Sequence, residues 1–410
     1  MTTLAEGEPT VPETIPDRAE LVERAAKLVP LLRSRGPWID DNRRLPDDVV
    51  RALEESGLLR MAVPVQYGGY ESDVRTFVDV LAEIATGNGS AAFCLSVYSA
   101  LTWMAGLWPD QALDEVFTRP DVRVTGTTAA TGTARTTEGG YLLSGRWTFN
   151  SGILHAQWKI CVAMPTGGDG GGDGDDPAAA LPVFALVPVG DLQIVDDWYT
   201  SGLEGSGSVT TVAQEVFVPS HRVITGADFY QNRIRSTVNA SKPAYAVPIL
   251  VTTNAIQIGQ LVGAGRAALA AFLERLPGRP LTYTDHASQR DAAVTHLQVG
   301  EAALLIEDAE HRARRFAESI TDKVARAEAW TTAERVSARV QIGWVARQVR
   351  EAVRILADAS GGSSVHRHVP ISRIHRDTTA AALHAMITPS TNIELYGRSL
   401  CGLKPNSVYL

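Results

Sequence analysis

The first 120 residues carry apolar positions at helical spacing. Leucines and alanines recur every three or four residues from Asp17 to Leu32, and Pro46 followed by Asp47 opens a second helix that ends near Gly57. Three further segments show the same period, at 74–86, 90–107 and 110–118. We therefore expect an N-terminal helical domain.

This domain is expected to cover residues 17–120. Residues 1–16 are polar and contain three prolines, which is typical of a flexible leader.

From 121 to 225 the pattern changes to short apolar runs bounded by Gly, Pro or Asp, which is typical of antiparallel strands. This stretch predicts a central antiparallel β domain. Within it, Thr166 to Pro177 contains six glycines and four aspartates. A solvated hairpin excursion is favoured there over a calcium loop, because the acidic spacing matches no metal-binding pattern.

After residue 225 the helical period returns in long, alanine-rich segments with Arg and Glu on their polar faces. The segments are 245–276, 286–320, 330–360 and 371–386. They predict a C-terminal four-helix bundle domain over 226–410. The fold class is therefore α+β, and the lack of alternating βαβ units argues against Rossmann and TIM-barrel folds.

Composition narrows the function further. The 410 residues include 38 Lys and Arg against 46 Asp and Glu, a net charge of −8 without a basic stripe, so nucleic acid is not an expected partner. Three cysteines, Cys94, Cys161 and Cys401, form no CxxC pair, which fits a reducing cytoplasm. No signal peptide and no apolar run of 18 residues is found, so neither secretion nor a membrane is expected.

Several common sites are disfavoured by spacing. The glycine-rich loop 202–208 has no buried strand before it and no helix after it, so a nicotinamide site is not expected. His375 and His384 are nine residues apart on one predicted helix and would face opposite ways, so no metal site is expected. No nucleophile elbow supports a hydrolase.

The stretch from Tyr141 to Gly152 is the best candidate for chemistry. Phe149 and Ser151 are predicted to share one strand face, where they would offer an aromatic plate and a hydroxyl to the N5 edge of a flavin. Trp158 and Ser206 are candidate neighbours of this site. A core aromatic residue beside a surface serine is the competing interpretation of the same spacing.

Four separated segments carry a resemblance to a known family: LSGRWTFNSGILHAQW, SGLEGSGSVTTVAQEVFVPSHRV, SGGSSVHRHVPISRIHRD and RDTTAAALHAMITPSTNIELYGRSLCG. Together with the helix, strand and bundle order, they resemble the acyl-CoA dehydrogenase superfamily over nearly the whole chain. The C-terminal segment is most similar to the branch of two-component flavin-dependent monooxygenases known as group D.

The resemblance implies roles for particular residues. Phe149 stands where the dehydrogenases have a flavin-stacking tryptophan, and Ser151 stands where they have the hydroxyl residue at flavin N5. Trp158 and Ser206 are carried by the matching segments as further cofactor contacts. The resemblance also implies that Arg279 reaches the phosphate end of the flavin with Ser360, Gly361 and Gly362, across a subunit boundary.

The reaction is indicated by a missing base. The dehydrogenases have a glutamate eight residues after the Asp of an Arg-Asp pair, and here that position is Ala385. A minority of the dehydrogenases place this glutamate on the first bundle helix, but residues 247–267 of this chain contain no acidic side chain. His384 stands one residue earlier, as in the monooxygenases, and is predicted to handle the substrate proton. Where many relatives carry a helix histidine, this chain offers Tyr98 and Trp103 as substrate contacts.

The resemblance thus implies a homotetrameric monooxygenase that takes reduced flavin from a separate NAD(P)H:flavin reductase, with FMNH2 preferred over FADH2. It would use O2 as co-substrate and hydroxylate a small aromatic or amine-bearing compound, of the kind found in secondary metabolism, through a flavin C4a-hydroperoxide. An acyl-CoA dehydrogenase or oxidase is one alternative. A non-catalytic flavin-binding protein of the same fold is the other.

Overall fold

The computed structural model describes residues 11–166 and 181–410, and its N-terminal part is helical as predicted. Its five helices are α1 (Arg18–Asn42), α2 (Asp47–Glu55), α3 (Val74–Gly87), α4 (Gly89–Ala105) and α5 (Asp110–Val116). Side-chain caps fix where three of them begin, namely α1, α3 and α4. Asp17 accepts a hydrogen bond from the Glu20 amide at 2.8 Å, and Asn88 accepts one from the Ala91 amide at 3.0 Å.

The first ten residues of the predicted leader lie outside the described residues. The same holds for the glycine- and aspartate-rich loop after Thr166.

The central part is a sheet whose strands come in the order β6, β7, β3, β2, β4, β5, β8, with β1 paired to β4. The strands are β1 (Val124–Gly126), β2 (Gly132–Thr137), β3 (Gly140–Trp147), β4 (Trp158–Thr166), β5 (Val183–Pro188), β6 (Gln193–Val195), β7 (Thr210–Pro219) and β8 (Val223–Thr225). The purely antiparallel arrangement predicted for this domain is corrected, because β4 pairs in parallel with β1 and with β2. Short apolar runs do not encode which strand lies beside which.

The C-terminal part is helical from residue 226 onward. Its helices are α6 (Gly226–Tyr230), α7 (Ile249–Glu274), α8 (Ala293–Ala325), α9 (Thr332–Ala359), α10 (Pro370–Ala381) and α11 (Pro389–Leu400). The four predicted bundle helices correspond to α7, α8, α9 and α10. Helix α11 was missed, and it packs on α9 through buried Asn392, whose Oδ1 accepts from Arg339 Nε at 2.9 Å.

Helix α7 is the central helix of the bundle. A Cβ atom at Gly259 would lie 2.2 Å from the Val78 carbonyl oxygen, and one at Gly263 would lie 2.0 Å from that of Ala82. These glycines therefore let α3 approach the α7 backbone closely. By length and composition α7 could cross a membrane, with a mean hydropathy of 1.3, but 72% of that window is buried inside the bundle, as in a core helix.

Candidate active site

Three serine hydroxyls meet where the turn after β3 faces the loop 202–208. Ser151 Oγ lies 2.7 Å from Ser208 Oγ, which in turn lies 2.7 Å from Ser206 Oγ. All three side chains are buried. We call Ser151, Ser206 and Ser208 the serine cluster. It brings together two of the predicted cofactor contacts, Ser151 and Ser206.

The hydrogen bonds of the serine cluster run in one direction. Ser206 Oγ lies 2.7 Å from the Leu203 carbonyl oxygen, which can only accept, so the Ser206 hydroxyl donates to it. Because each hydroxyl has one hydrogen, Ser208 must donate to Ser206, and Ser151 must donate to Ser208. Ser151 Oγ is left with lone pairs only, so it can bind a ligand only by accepting a hydrogen bond.

The turn that carries Ser151 is not a strand. β3 ends at Trp147, Phe149 has a left-handed backbone with φ 61°, and the Asn150 side chain donates to the carbonyls of Trp147 and Val209 at 2.7 and 2.8 Å. The prediction that Phe149 and Ser151 share one strand face is therefore wrong. Asn150 provides the hydrogen bonds that reverse the chain here.

The Phe149 ring faces outward beside the serine cluster. It is 68% exposed, and it is braced edge-on by Trp198 with ring centroids 5.8 Å apart. An exposed aromatic ring held next to a buried hydrogen-bond acceptor suits a flat, partly polar cofactor ring.

Helix α4 contacts the serine cluster from the helical side. Tyr98 Oη donates to the Gly152 carbonyl at 2.6 Å, and Cys94 Sγ lies 3.7 Å from the Ser206 carbonyl oxygen. Burial raises the pKa of Tyr98 well above its usual value, which keeps the hydroxyl protonated as a donor. The Tyr98 hydroxyl therefore holds the turn, and its predicted role toward substrate stays a prediction.

Two predicted tryptophan contacts are packed against other side chains. Trp103 stacks on Tyr245 with centroids 5.3 Å apart and an interplanar angle of 11°. Trp158 is buried at the start of β4, with the Arg222 guanidinium 5.0 Å from its ring centroid. Their roles toward substrate and cofactor also stay predictions.

His384 lies in the turn between α10 and α11 and not on a helix, because α10 ends at Ala381. Its Nδ1 accepts a hydrogen bond from the Met386 amide at 3.3 Å, so the neutral ring carries its hydrogen on Nε2. The residue is exposed at the surface of the chain, and desolvation by the surrounding protein lowers the pKa of its ring.

Phe93 of α4 is the aromatic neighbour of His384, with ring centroids 6.1 Å apart and an angle of 68°. Trp103 is ten residues farther along α4, about 15 Å at the rise of an α-helix. The side of α4 near its N-terminus, and not the predicted Trp103, therefore meets His384. Nothing in the sequence distinguishes Phe93 from an ordinary core residue.

A second predicted group lies beyond the end of α7. Arg279 Nη2 donates to the Ser360 carbonyl and lies 3.1 Å from Ser363 Oγ, which also accepts from Arg275. Within the described ranges, neither arginine has a carboxylate partner. Burial and the neighbouring charge of Arg275 lower the pKa of Arg279, as expected where two cations are held together.

The glycines predicted for this group border it. Gly361 has φ 62° and a built Cβ would lie 3.5 Å from Arg279 Nη2, while open space surrounds Gly362. A pair of cations without carboxylate partners beside an open turn can bind a phosphate.

Within the described residues of one chain, no hydrogen bond or ion pair joins the arginine group to the serine cluster. That one flavin uses both groups across a subunit boundary stays a prediction.

The loop of the serine cluster is anchored to α10 by a buried carboxyl group. Asp377 Oδ1 accepts from the Leu203 amide at 2.7 Å. Burial raises the pKa of Asp377 to about 7, with smaller contributions from Glu204 and Asp40. In the sequence, Asp377 is only the residue from which the position of the missing glutamate, Ala385, is counted.

The cations around Asp377 are already paired. Arg373 and Arg376 bind Asp40 at 3.0 and 3.2 Å, and Arg376 lies 3.4 Å from Glu204. They contribute little toward keeping Asp377 ionised.

The Asp377→Asn variant is expected to remove a pH dependence of stability. The folded-state pKa of about 7 exceeds the ordinary value of an aspartate. The contribution of Asp377 to the free energy of unfolding is therefore complete below about pH 4 and is lost as the pH rises through 7. The free energy of unfolding lost in this way is on the order of 4 kcal/mol at most. Asparagine still accepts from Leu203, so the variant should unfold at higher temperature than wild type at pH 8. If the melting temperatures of wild type and variant changed equally between pH 5 and pH 8, this prediction would be contradicted.

The described residues contain no group of three or more His, Cys, Asp and Glu side chains that could hold a metal ion.

Two family models match the chain. The N-terminal domain of acyl-CoA dehydrogenase matches residues 26–109, and its C-terminal domain matches residues 255–389.

Curated and solved relatives cover nearly the whole chain. The FADH(2)-dependent resorcinol hydroxylase oxygenase component of Rhizobium sp. (strain MTP-10005) is 30% identical, over 95% of this chain and 96% of that protein. XiaF from Streptomyces sp., solved with FADH2 and glycerol, is 34% identical with a TM-score of 0.87, over 95% and 97% of the two chains. The 3-HSA hydroxylase from Rhodococcus sp. RHA1 is 28% identical with a TM-score of 0.86, over 96% and 100%.

Proposed function

We propose that this chain, which belongs to the acyl-CoA dehydrogenase superfamily and within it to the two-component flavin-dependent monooxygenases, hydroxylates a small aromatic compound with reduced flavin and O2. A bound reduced flavin would supply the two electrons and the position at which O2 reacts. A separate reductase would deliver it, as the names of oxygenase components among the relatives imply.

The observation that carries the proposal is the direction of the serine cluster. Ser151 Oγ can only accept a hydrogen bond, because its own hydrogen is used by Ser208. The N5 atom of reduced flavin carries a hydrogen and donates, whereas N5 of oxidised flavin only accepts. A cluster that ends in an acceptor fits the reduced cofactor of an oxygenase component.

The other residues would divide the remaining tasks. Phe149 would lie against the isoalloxazine ring, Arg279 with the turn at Ser360, Gly361 and Gly362 would hold phosphate, and His384 would donate from Nε2 to a substrate oxygen. The acyl-CoA dehydrogenase alternative is opposed by Ala385, which offers no base.

The experiment supplies chemically reduced flavin without a reductase, admits O2, and follows a panel of phenols for products 16 mass units heavier. A monooxygenase forms product at the expense of hydrogen peroxide. A dehydrogenase instead reduces oxidised flavin with an acyl-CoA, and a non-catalytic protein returns all electrons as peroxide. Either of the last two results would overturn the proposal.

The identity of the flavin stays a prediction. The sequence favoured FMNH2, whereas the relatives at 30% identity or more are named with FADH2, which supports the larger cofactor. Anaerobic titration with each reduced flavin decides between them.

We also propose a homotetramer in the cytoplasm. Its support is that no hydrogen bond or ion pair joins the serine cluster to the arginine group among the described residues of one chain, so that a neighbouring subunit would complete the site. A monomer that binds flavin as tightly as the native assembly would remove Arg279, Gly361 and Gly362 from the site. The domain boundaries at 120/121 and 225/226 are part of the same proposal.

A further inference from the structure

One face of α7 is polar at its N-terminal half and apolar at its C-terminal half. The face is formed by residues spaced four, three, four, three and four apart: Thr253, Gln257, Gln260, Ala264, Ala267 and Ala271. This spacing keeps all six on one side of a helix. We call these six residues the α7 stripe.

The alanine half of the stripe lines a cleft with Gly89 of α4 and with Arg373 and Asp377 of α10. The stripe therefore faces α4 and α10. At the other end of α4, Trp103 stacks on Tyr245 just before α7, so α4 runs antiparallel to α7. Phe93, one turn beyond Gly89, then lies beside the polar half of the stripe, and it contacts His384.

The polar half carries hydrogen-bonding groups that the chain itself does not use. Gln257 and Gln260 are 9% and 5% exposed. Gln257 Nε2 donates to the Thr253 carbonyl at 3.3 Å, which turns Oε1 away from that carbonyl. In the part of the chain that the structure describes, Oε1 of Gln257 and Nε2 of Gln260 have no hydrogen-bond partner.

These two atoms form a complementary pair. One is an acceptor and the other a donor, and they belong to residues three apart on a helix, which are neighbours on its surface. A single hydroxyl group satisfies both, by donating to Gln257 and accepting from Gln260. Leaving either atom buried without a partner costs stability, so a ligand that supplies both bonds is recognised strongly.

The surroundings select against charge. The amides are neutral, and the arginines of α10, Arg373 and Arg376, are paired with Asp40 and Glu204. A carboxylate or a phosphate entering beside the α7 stripe would therefore lose its hydration without gaining a free cation among the described residues.

We infer that Gln257 and Gln260 determine substrate specificity by binding a hydroxyl group of an uncharged aromatic substrate between the polar half of the α7 stripe and Phe93 of α4. This inference rests on the proposed function. With His384 contacting one oxygen substituent, the substrate class is a neutral aromatic ring that carries two oxygen substituents.

The test measures binding of three probes of similar size to the protein loaded with reduced flavin under anaerobic conditions. The probes are resorcinol with two hydroxyls, phenol with one, and 3-hydroxybenzoate with a carboxylate in place of the second hydroxyl. We expect wild type to bind resorcinol at least tenfold more tightly than the other two. Gln257→Leu and Gln260→Leu should each weaken resorcinol about tenfold and leave phenol unchanged.

Thr252→Val is the matched control. Thr252 is buried on α7 and its hydroxyl also has no partner among the described residues, but it lies about 140° around the helix from Gln257, toward the α3 side. This variant should bind all three probes as wild type does.

Melting temperature separates recognition from a structural role. The melting temperature of Gln257→Leu and of Gln260→Leu should equal or exceed that of wild type, because each substitution removes an unpaired buried amide. A lower melting temperature, unchanged resorcinol binding, equal binding of resorcinol and phenol, or tighter binding of 3-hydroxybenzoate would overturn the inference. Failure of the proposed function would give a different result. The three probes would bind as expected, but the reaction with O2 would yield hydrogen peroxide and no hydroxylated product.

Discussion

The His384→Ala variant is expected to hydroxylate its substrate about 10²- to 10⁴-fold more slowly than wild type, with flavin affinity little changed. The ring lies in an open turn beside Phe93, and its Nε2 hydrogen is left available by the bond between Nδ1 and the Met386 amide. Loss of the ring removes a hydrogen-bond donor and proton-transfer group at the substrate but no part of the serine cluster.

The pH dependence should identify the imidazole as the responsible group. Desolvation by the surrounding protein lowers the pKa of His384, so the ring is neutral at pH 7 and becomes charged only below its ordinary value of about 6.5. Protonation places a hydrogen on Nδ1, which can then no longer accept from the Met386 amide, so the ring loses the hydrogen bond that orients its Nε2 donor. Wild-type activity should therefore fall below that pH, and this acid limb should be absent from the residual rate of His384→Ala.

Leu383→Ala provides the matched control for this experiment. Leu383 is the neighbouring residue in the same turn and is 66% exposed, so its loss should change neither the rate nor the pH profile. If His384→Ala keeps more than a tenth of the wild-type rate, or retains the acid limb, His384 is a turn residue and the proton is handled elsewhere.

The second large effect is expected at the serine cluster. Wild type should bind reduced flavin more tightly than oxidised flavin, and Ser151→Ala should reduce that ratio by roughly ten- to a hundredfold, the value of about one to three kcal/mol for a hydrogen bond lost at a buried site. The physical reason is that only reduced flavin can donate to the Ser151 lone pairs. More hydrogen peroxide per product should accompany the change.

Ser208 tests the direction of the hydrogen bonds separately from the presence of Ser151. In Ser208→Ala the Ser151 hydroxyl has lost its acceptor and is free to donate, so binding should shift toward oxidised flavin. Ser208→Thr keeps a hydroxyl and should restore the wild-type ratio. Dissociation constants from anaerobic and aerobic titrations give these ratios directly, and an unchanged ratio in Ser151→Ala would remove Ser151 from the flavin site.

The sequence by itself determined the order of helical, sheet and bundle segments and the position of most helices. Apolar period, caps and helix-breaking residues act locally, so Asp17 and Asn88 fix helix starts that can be read along the chain. The motif around Ser151 and the absence of an acid at Ala385 are likewise properties of the sequence, and they were sufficient to indicate the flavin-dependent monooxygenases through the resemblance.

Tertiary structure decided how those residues act, because the deciding contacts join distant parts of the chain. Ser151 meets Ser208 from 57 positions away, and Asp377 anchors Leu203 across 174 positions. Such pairings determine that Ser151 accepts and that a buried carboxyl titrates near neutrality, and neither spacing nor composition encodes them. The parallel pairing of β4 and the unused amides of Gln257 and Gln260 were hidden for the same reason: each depends on what packs beside the element and not on its own sequence.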